Sequence, residues 1–193
     1  LVIDAARVAQ PGAALGIVTF EPHPREYFAR LAGRTEPPFR LMNAEARANR
    51  LARHGVSQLY ELPFGPTLAG LTPEDFAREV LAEGLGVAHV SVGEDFRYGR
   101  GRAGDIRTLV EAGARLGFGV TAVPLLETDA GATSSTAIRE ALADGRPRDA
   151  ERMLGHWHRI EGEVIHGDKR GRTIGVPTLN VALGDYVRPA YGV

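Results

Sequence analysis

Short runs of β-forming apolar residues alternate with helix-length segments along the first 150 residues of this chain, and then the alternation stops. Leu1, Val2, Ala5, Val8 and Ala9 recur at helical spacing until Pro11-Gly12 ends the run. Leu15 to Phe20 reads as a short buried strand, bounded by Glu21-Pro22. Asn43 stands as a helix cap ahead of Ala46, Leu51 and Ala52, with Gly55 as the stop. Gln58 to Leu62 is the next strand. Thr72-Pro73-Glu74-Asp75 combines a cap, a proline at the first helical position and two acids in the first turn, so a helix starts there and runs to about Gly84. A strand from Ala88 to Val92, a helix from Asp105 to Leu116 and a strand from Gly119 to Leu125 follow. Two shorter helices, from about Ser135 to Ala143 and from Pro147 to Met153, complete the pattern. Strands separated by helices pair in parallel, which predicts an α/β fold with helices on both faces of a parallel sheet.

From His158 onward the text is strand-like, punctuated by Gly162, Gly167, Gly171 and Gly175, with no amphipathic helix. A second, β-type module is predicted to begin there. Its roughly 40 residues are too few to bury a core alone. The 193 residues have room for one ordinary domain plus a small second one or part of one. Leu1 sits inside a helix and Tyr191-Gly192-Val193 is strand-like, so the chain is expected to continue at both ends. A net charge of -1 supplies no global basic field for nucleic acid. Cysteine is absent, which excludes disulfides and thiolate metal sites and fits a reducing cytoplasm. No apolar run approaches the ~20 residues that would span a bilayer.

Four segments carry candidate chemistry. The stretch from Gly93 through Asp95, Phe96, Tyr98 and Gly99 to Asp105 follows a strand and leads into a helix. Ligands of open parallel sheets bind outside the carboxyl ends of the strands, where this loop belongs. A solvated loop is the plainer alternative. Gly99, Gly101 and Gly104 also match the dinucleotide fingerprint G-x-G-x-x-G. That motif needs its first glycine at the strand end, and the predicted strand ends near Gly93, so a dehydrogenase is the minor reading. Glu21, Pro22 and His23 follow the first strand; two prolines stiffen this loop, which suits substrate lining better than general-base work.

Ser134, Ser135 and Thr136 cluster at a helix start, where hydroxyls, free amides and the helix dipole favour an anion. Arg139 lies four residues after Ser135 and can reach a phosphate held there. Simple capping, with Arg139 paired to a surface acid, accounts for the same residues. In the second module, Gly167, Lys169, Arg170 and Gly171 form a basic, glycine-rich stretch suited to polyphosphate, although it matches no Walker A loop. Pro177 precedes Thr178 and Asn180, whose oxygens, two apart on a predicted strand, suit Mg²⁺ shared with phosphates. An ordinary basic turn is the alternative. His156 and His158 flank Trp157 without a third ligand, so no metal site is expected there.

Taken in order, several of these segments resemble the bacterial FAD synthetase family of bifunctional riboflavin kinase/FMN adenylyltransferases. Phe-Glu-Pro-His-Pro at 20–24, Val-Gly-Glu-Asp-Phe-Arg-Tyr-Gly at 92–99 and Ser-Ser-Thr-Ala-Ile-Arg at 134–139 look like its adenylyltransferase module. Leu154-Gly155-His156 looks like the junction, and Gly175-Val176-Pro177-Thr178-Leu179-Asn180 like the start of the kinase module. The family usually shows an aromatic in place of Val176.

The resemblance implies a Rossmann-like nucleotidyltransferase domain over residues 1–153 and the start of a small β-barrel riboflavin kinase domain over 154–193. It implies ATP, riboflavin and FMN as substrates, FAD as product, and Mg²⁺. The kinase would move the γ-phosphate of ATP to the ribityl hydroxyl of riboflavin. The adenylyltransferase would let the FMN phosphate attack the α-phosphorus of ATP, releasing pyrophosphate. By the same resemblance, Ser134, Ser135, Thr136 and Arg139 hold ATP phosphates, loops 20–24 and 92–99 line the nucleotide and flavin pocket, and Thr178 and Asn180 meet Mg-nucleotide. It further implies a cytoplasmic enzyme with no nucleic-acid or membrane partner, and leaves self-association open. The family's G-x-F-D-G-x-H-x-G-H segment and the kinase's carboxylate base have no counterpart in these residues. The 193-residue chain is therefore expected to be nearly inactive in both reactions. A binding module without catalysis is the remaining rival.

Overall fold

The computed structural model describes residues 1–124, 127–128, 131–167, 175–176 and 178–191. The chain divides into two compact units. The first comprises Leu1–Thr35 and Leu51–Leu126, and the second Glu36–Arg50 and Glu127–Val193.

In the first unit, α1 (Val2–Ala9) leads to β1 (Gly16–Glu21) and α2 (Pro24–Leu31). After α3 (Ala44–Arg53), which starts in the second unit, come β2 (Gln58–Pro63), α4 (Pro66–Gly70) and α5 (Pro73–Asp75). The helix of α5 continues as a π-helix, Phe76–Gly84, followed by β3 (His89–Gly93), α6 (Ile106–Leu116) and β4 (Gly119–Val123). Helix starts match their local signals. The Thr72 hydroxyl accepts from the Asp75 amide at 3.1 Å, with Pro73 next in line. Asp105 and Thr108 exchange backbone-to-side-chain bonds of 2.9 Å at the start of α6. The bond from the Thr108 amide, above all, holds the Asp105 carboxyl below the usual range. Sequence reading overlooked α2, although Pro24 sits at its first turn and Glu26 closes a capping box with His23.

All four strands pair in parallel, as the alternation required, but hydrogen bonding groups them as β1–β2 and β3–β4. What unites them is side-chain packing. Phe76, Ala77, Leu81, Tyr98, Leu109, Ala112 and Phe118 form the buried core, and Phe20 of β1 packs against it beside Val90 and Val92 of β3. The single continuous sheet expected from sequence is thus replaced by two parallel pairs sharing one apolar layer.

The second unit contains β5 (Glu127–Thr128) paired antiparallel with β6 (Gly131–Ala132), α7 (Ser135–Ala143) and α8 (Pro147–Leu154). It ends with the antiparallel pair β7 (Val164–Ile165) and β8 (Asn180–Val181). Its core joins Ile138, Ala141 and Leu142 of α7 to Ala150 of α8 and to Val187. The half-buried His158 meets Tyr186 edge-on, ring centres 6.4 Å apart. Burial holds the His158 imidazole below its ordinary value of 6.5 despite a hydrogen bond to the Leu41 backbone, and His156 adds to the lowering. A histidine whose folded value is depressed binds fewer protons folded than unfolded, so its stability contribution is complete above pH 6.5 and falls on acidification below it. Urea midpoints are therefore expected to drop between pH 7.5 and pH 5.5, and less so in His158→Gln; equal drops in both proteins would count against this residue as the cause.

Candidate functional site

The carboxyl ends of β1 and β3 open onto a cavity of about 760 Å³ in the first unit. Its walls are aromatic and come from distant stretches of chain: Phe20, Phe28, Phe64, Phe76, Phe96 and Tyr98. Phe64 is the hub of one wall, edge-on to Phe20, Tyr27 and Phe28 at 5.7, 5.3 and 5.9 Å. Such pairs each contribute about 0.5–1.5 kcal/mol beyond their buried area. On the other wall Phe96 stacks on Tyr98, 5.5 Å between centres and 11° from parallel, and Tyr98 leans on Phe76. Tyr98 is itself buried, its hydroxyl 3.3 Å from that of Thr108, and burial raises its phenol above the ordinary value. Basic groups complete the lining: His23, Arg25, Arg97 and Arg102.

Both loops singled out in the sequence meet here. Glu21 is the last residue of β1, its carbonyl accepting from the Phe64 amide at 2.8 Å, and a cis peptide joins it to Pro22. His23 caps α2: its Nδ1 accepts from the Arg25 amide at 3.1 Å while its own amide donates to Glu26 at 3.2 Å. One of its two ring nitrogens is thus engaged in the helix cap. Gly93 ends β3, and Asp95, Phe96, Tyr98 and Gly99 face the cavity.

Two of the three glycines of the apparent dinucleotide fingerprint have other work. Gly99 lies six residues beyond the end of β3, where a Cβ would come within 2.7 Å of the Pro73 backbone. Gly104 lies under the Tyr98 ring, with 2.6 Å left for a Cβ. Neither opens a strand-to-helix turn. Sequence reading placed Arg102 in its candidate ligand loop but did not include Phe28, Phe64, Phe76 or Arg25. One signal was present: Phe64 directly follows β2, whose Pro63 is in register with Glu21.

In the second unit, the Ser134 hydroxyl accepts from the Ala137 amide at 3.1 Å, so it caps α7. Ser135 and Thr136 are exposed at the same helix start. Arg139 donates from Nε to the Phe39 carbonyl at 2.6 Å and lays its guanidinium 5.4 Å from the centre of the Phe39 ring. A peptide carbonyl and an aromatic face are thus among its partners. Gly167 and Asn180 are brought together, since a Cβ on Gly167 would collide with the Asn180 carboxamide. β8 comprises Asn180–Val181, so Thr178 lies outside the strand and the alternation argument does not extend to it. Lys169, Arg170, Gly171 and Pro177 lie outside the described residues. Among the described residues no group of three or more His, Asp or Glu could hold a metal, and no helix is long and apolar enough to cross a membrane.

The family models and the curated relatives agree with one another. The family model described as FAD synthetase matches residues 2–137, and the one described as riboflavin kinase matches residues 154–193. A bifunctional riboflavin kinase/FMN adenylyltransferase of Escherichia coli (strain K12) is 41% identical over 177 residues, 92% of this chain and 55% of that protein. The protein of the same description from Pseudomonas fluorescens is 40% identical over 187 residues, 97% of this chain and 58% of that protein. The chain thus spans little more than half the length of these relatives. A crystal structure of a macrolide-efflux protein from Streptococcus pneumoniae matches with a TM-score of 0.83 at 29% identity, covering 99% of this chain and 62% of that one. With the FAD synthetase model matched over most of its length, this mixed α/β chain belongs to the FAD synthetase family.

Proposed function

We propose that the protein carrying these residues makes FAD from riboflavin in two ATP-dependent steps, phosphorylation to FMN and adenylylation of FMN. The observation that carries the reading is the aromatic cavity with a basic rim at the carboxyl ends of β1 and β3. A flat, apolar isoalloxazine stacks well between aromatic walls, and a phosphate needs the cations at the edge. In the adenylyl step the FMN phosphate attacks the α-phosphorus of ATP and pyrophosphate leaves. The protein's contribution is to position the two and offset their charge. Ser134, Ser135 and Thr136 at the start of α7, with Arg139, are the proposed holders of the ATP phosphates.

Residues 1–153 are assigned to adenylylation and 154–193 to the beginning of a small β-barrel kinase domain. The antiparallel β7–β8 pair and the riboflavin kinase match support that division. Mg²⁺ would be held by Thr178 and Asn180 together with nucleotide oxygens. Gly167 leaves room for the Asn180 carboxamide, whose oxygen is a hard donor of the kind such an ion takes. Such an ion supplies neutralisation of phosphate charge. A cytoplasmic setting and small-molecule substrates belong to the same reading.

The test is direct. The protein carrying these residues, given riboflavin, ATP and Mg²⁺, is expected to yield FMN and then FAD with pyrophosphate, resolved by chromatography. Thermal stabilisation by NAD, with none by ATP or FMN, would favour an oxidoreductase instead. Binding of flavin without turnover would leave a binding module.

A further inference from the structure

We infer that Arg102 selects the phosphorylated flavin over the unphosphorylated one in the first unit's cavity, as the counter-ion of the FMN phosphate. The inference rests on the reading of that cavity as a flavin site.

Conformation marks the residue first. Arg102 has φ +58°, and every other described residue in the left-handed region is a glycine. A side chain is kept there only when its surroundings over-determine it, and such positions concentrate at ligand sites. The surroundings do so here. The Arg102 amide donates to the Gly99 carbonyl at 2.9 Å, Gly104 donates to Tyr98 at 2.9 Å, and Arg100 donates to Leu71 at 2.7 Å. The loop is tied at both ends, and Arg102 faces the cavity from it.

Charge accounting points the same way. Arg97 lies 3.4 Å from the Asp105 carboxylate, and Arg25 has an interaction of its own. His23 has its Nδ1 occupied by the Arg25 amide. Arg102 makes no ion pair and no side-chain hydrogen bond among the described residues. The amides of Arg102, Ala103 and Gly104 are already spent on carbonyls of the same loop, so at this point of the rim the guanidinium is the group left to meet an anion. A planar guanidinium with nothing else to bind suits two phosphate oxygens at once. Riboflavin, which lacks the phosphate, gains nothing from it.

The test measures FMN and riboflavin binding to this chain by calorimetry, for the unsubstituted protein, Arg102→Gly and Arg102→Lys. Arg102→Gly is expected to weaken FMN about tenfold, leave riboflavin within about twofold, and flatten the salt dependence of FMN binding. Its thermal midpoint is expected to hold or rise, because glycine adopts the left-handed backbone without strain. Arg102→Lys should fall between the two. Equal weakening of both flavins, or unchanged FMN affinity, overturns the role given to Arg102. If the unsubstituted chain binds neither flavin, the flavin reading of the cavity fails and this inference with it, a result visible before any substitution is made.

Discussion

Gly99→Ala is expected to destabilise the first unit by about 3 kcal/mol and to remove most of the flavin affinity proposed for its cavity. Two costs add. The residue sits at φ +72° and ψ 176°, a conformation essentially reserved for glycine, where an alanine costs roughly 1–3 kcal/mol. Its new Cβ would also lie 2.7 Å from the Pro73 nitrogen and 2.9 Å from its Cα. Those are backbone atoms at a helix start held by the Thr72 cap, so they cannot give way as a flexible side chain would. The loop must instead lift off, straining the Arg100-to-Leu71 hydrogen bond and the burial of Tyr98. Gly101→Ala is the control: it has φ +64° but nothing within 4 Å of the added carbon, so it should cost only about 1 kcal/mol. Urea unfolding of the two variants, each followed by an FMN titration, separates the terms. Similar losses in both would mean that close approach to Pro73 is not what requires glycine at 99.

Arg139→Ala is expected to lower FMN adenylylation by roughly 10²–10³-fold in the protein carrying these residues, while riboflavin phosphorylation stays within about twofold. Removing one well-placed charged donor from a phosphoryl-group site typically has an effect of that size, because the group acts where charge builds up. The substitution also deletes the hydrogen bond to Phe39 and the contact with its ring, so a stability loss of about 1–2 kcal/mol should accompany it. Arg139→Lys keeps a charge but loses the planar fork. It is expected to restore part of the stability and little of the rate. Product analysis from riboflavin and from FMN as separate starting points reads the two steps apart. Parallel loss of both reactions would sink the assignment of Arg139 to adenylylation and mark it as structural.

Arg139 also shows where sequence reasoning stops. Its spacing from Ser135 on one helix face is a local fact, and α7 forms where the hydroxyl cluster starts it. One of its partners is Phe39, one hundred residues earlier, and no periodicity links those two positions. The loops at 20–24 and 92–99 were legible because each follows a strand in an alternating pattern. That they share one cavity depends on Phe20, Val90 and Val92 packing into a common core.

By itself the sequence determined the helices that begin at Thr72, Asp105 and Ser134, the parallel sense of the strands, and the order of motifs that marks the family. Each of these follows from energies between residues a few positions apart, or from loop length, and so leaves a trace in the local text. Tertiary structure alone decided the rest: strands grouped as two parallel pairs, an aromatic wall gathered from residues 20, 28, 64, 76, 96 and 98, and a left-handed Arg102 on its rim. Those features arise from contacts such as Gly99 against Pro73, between segments far apart in the chain, whose separation carries no signal until the chain has folded.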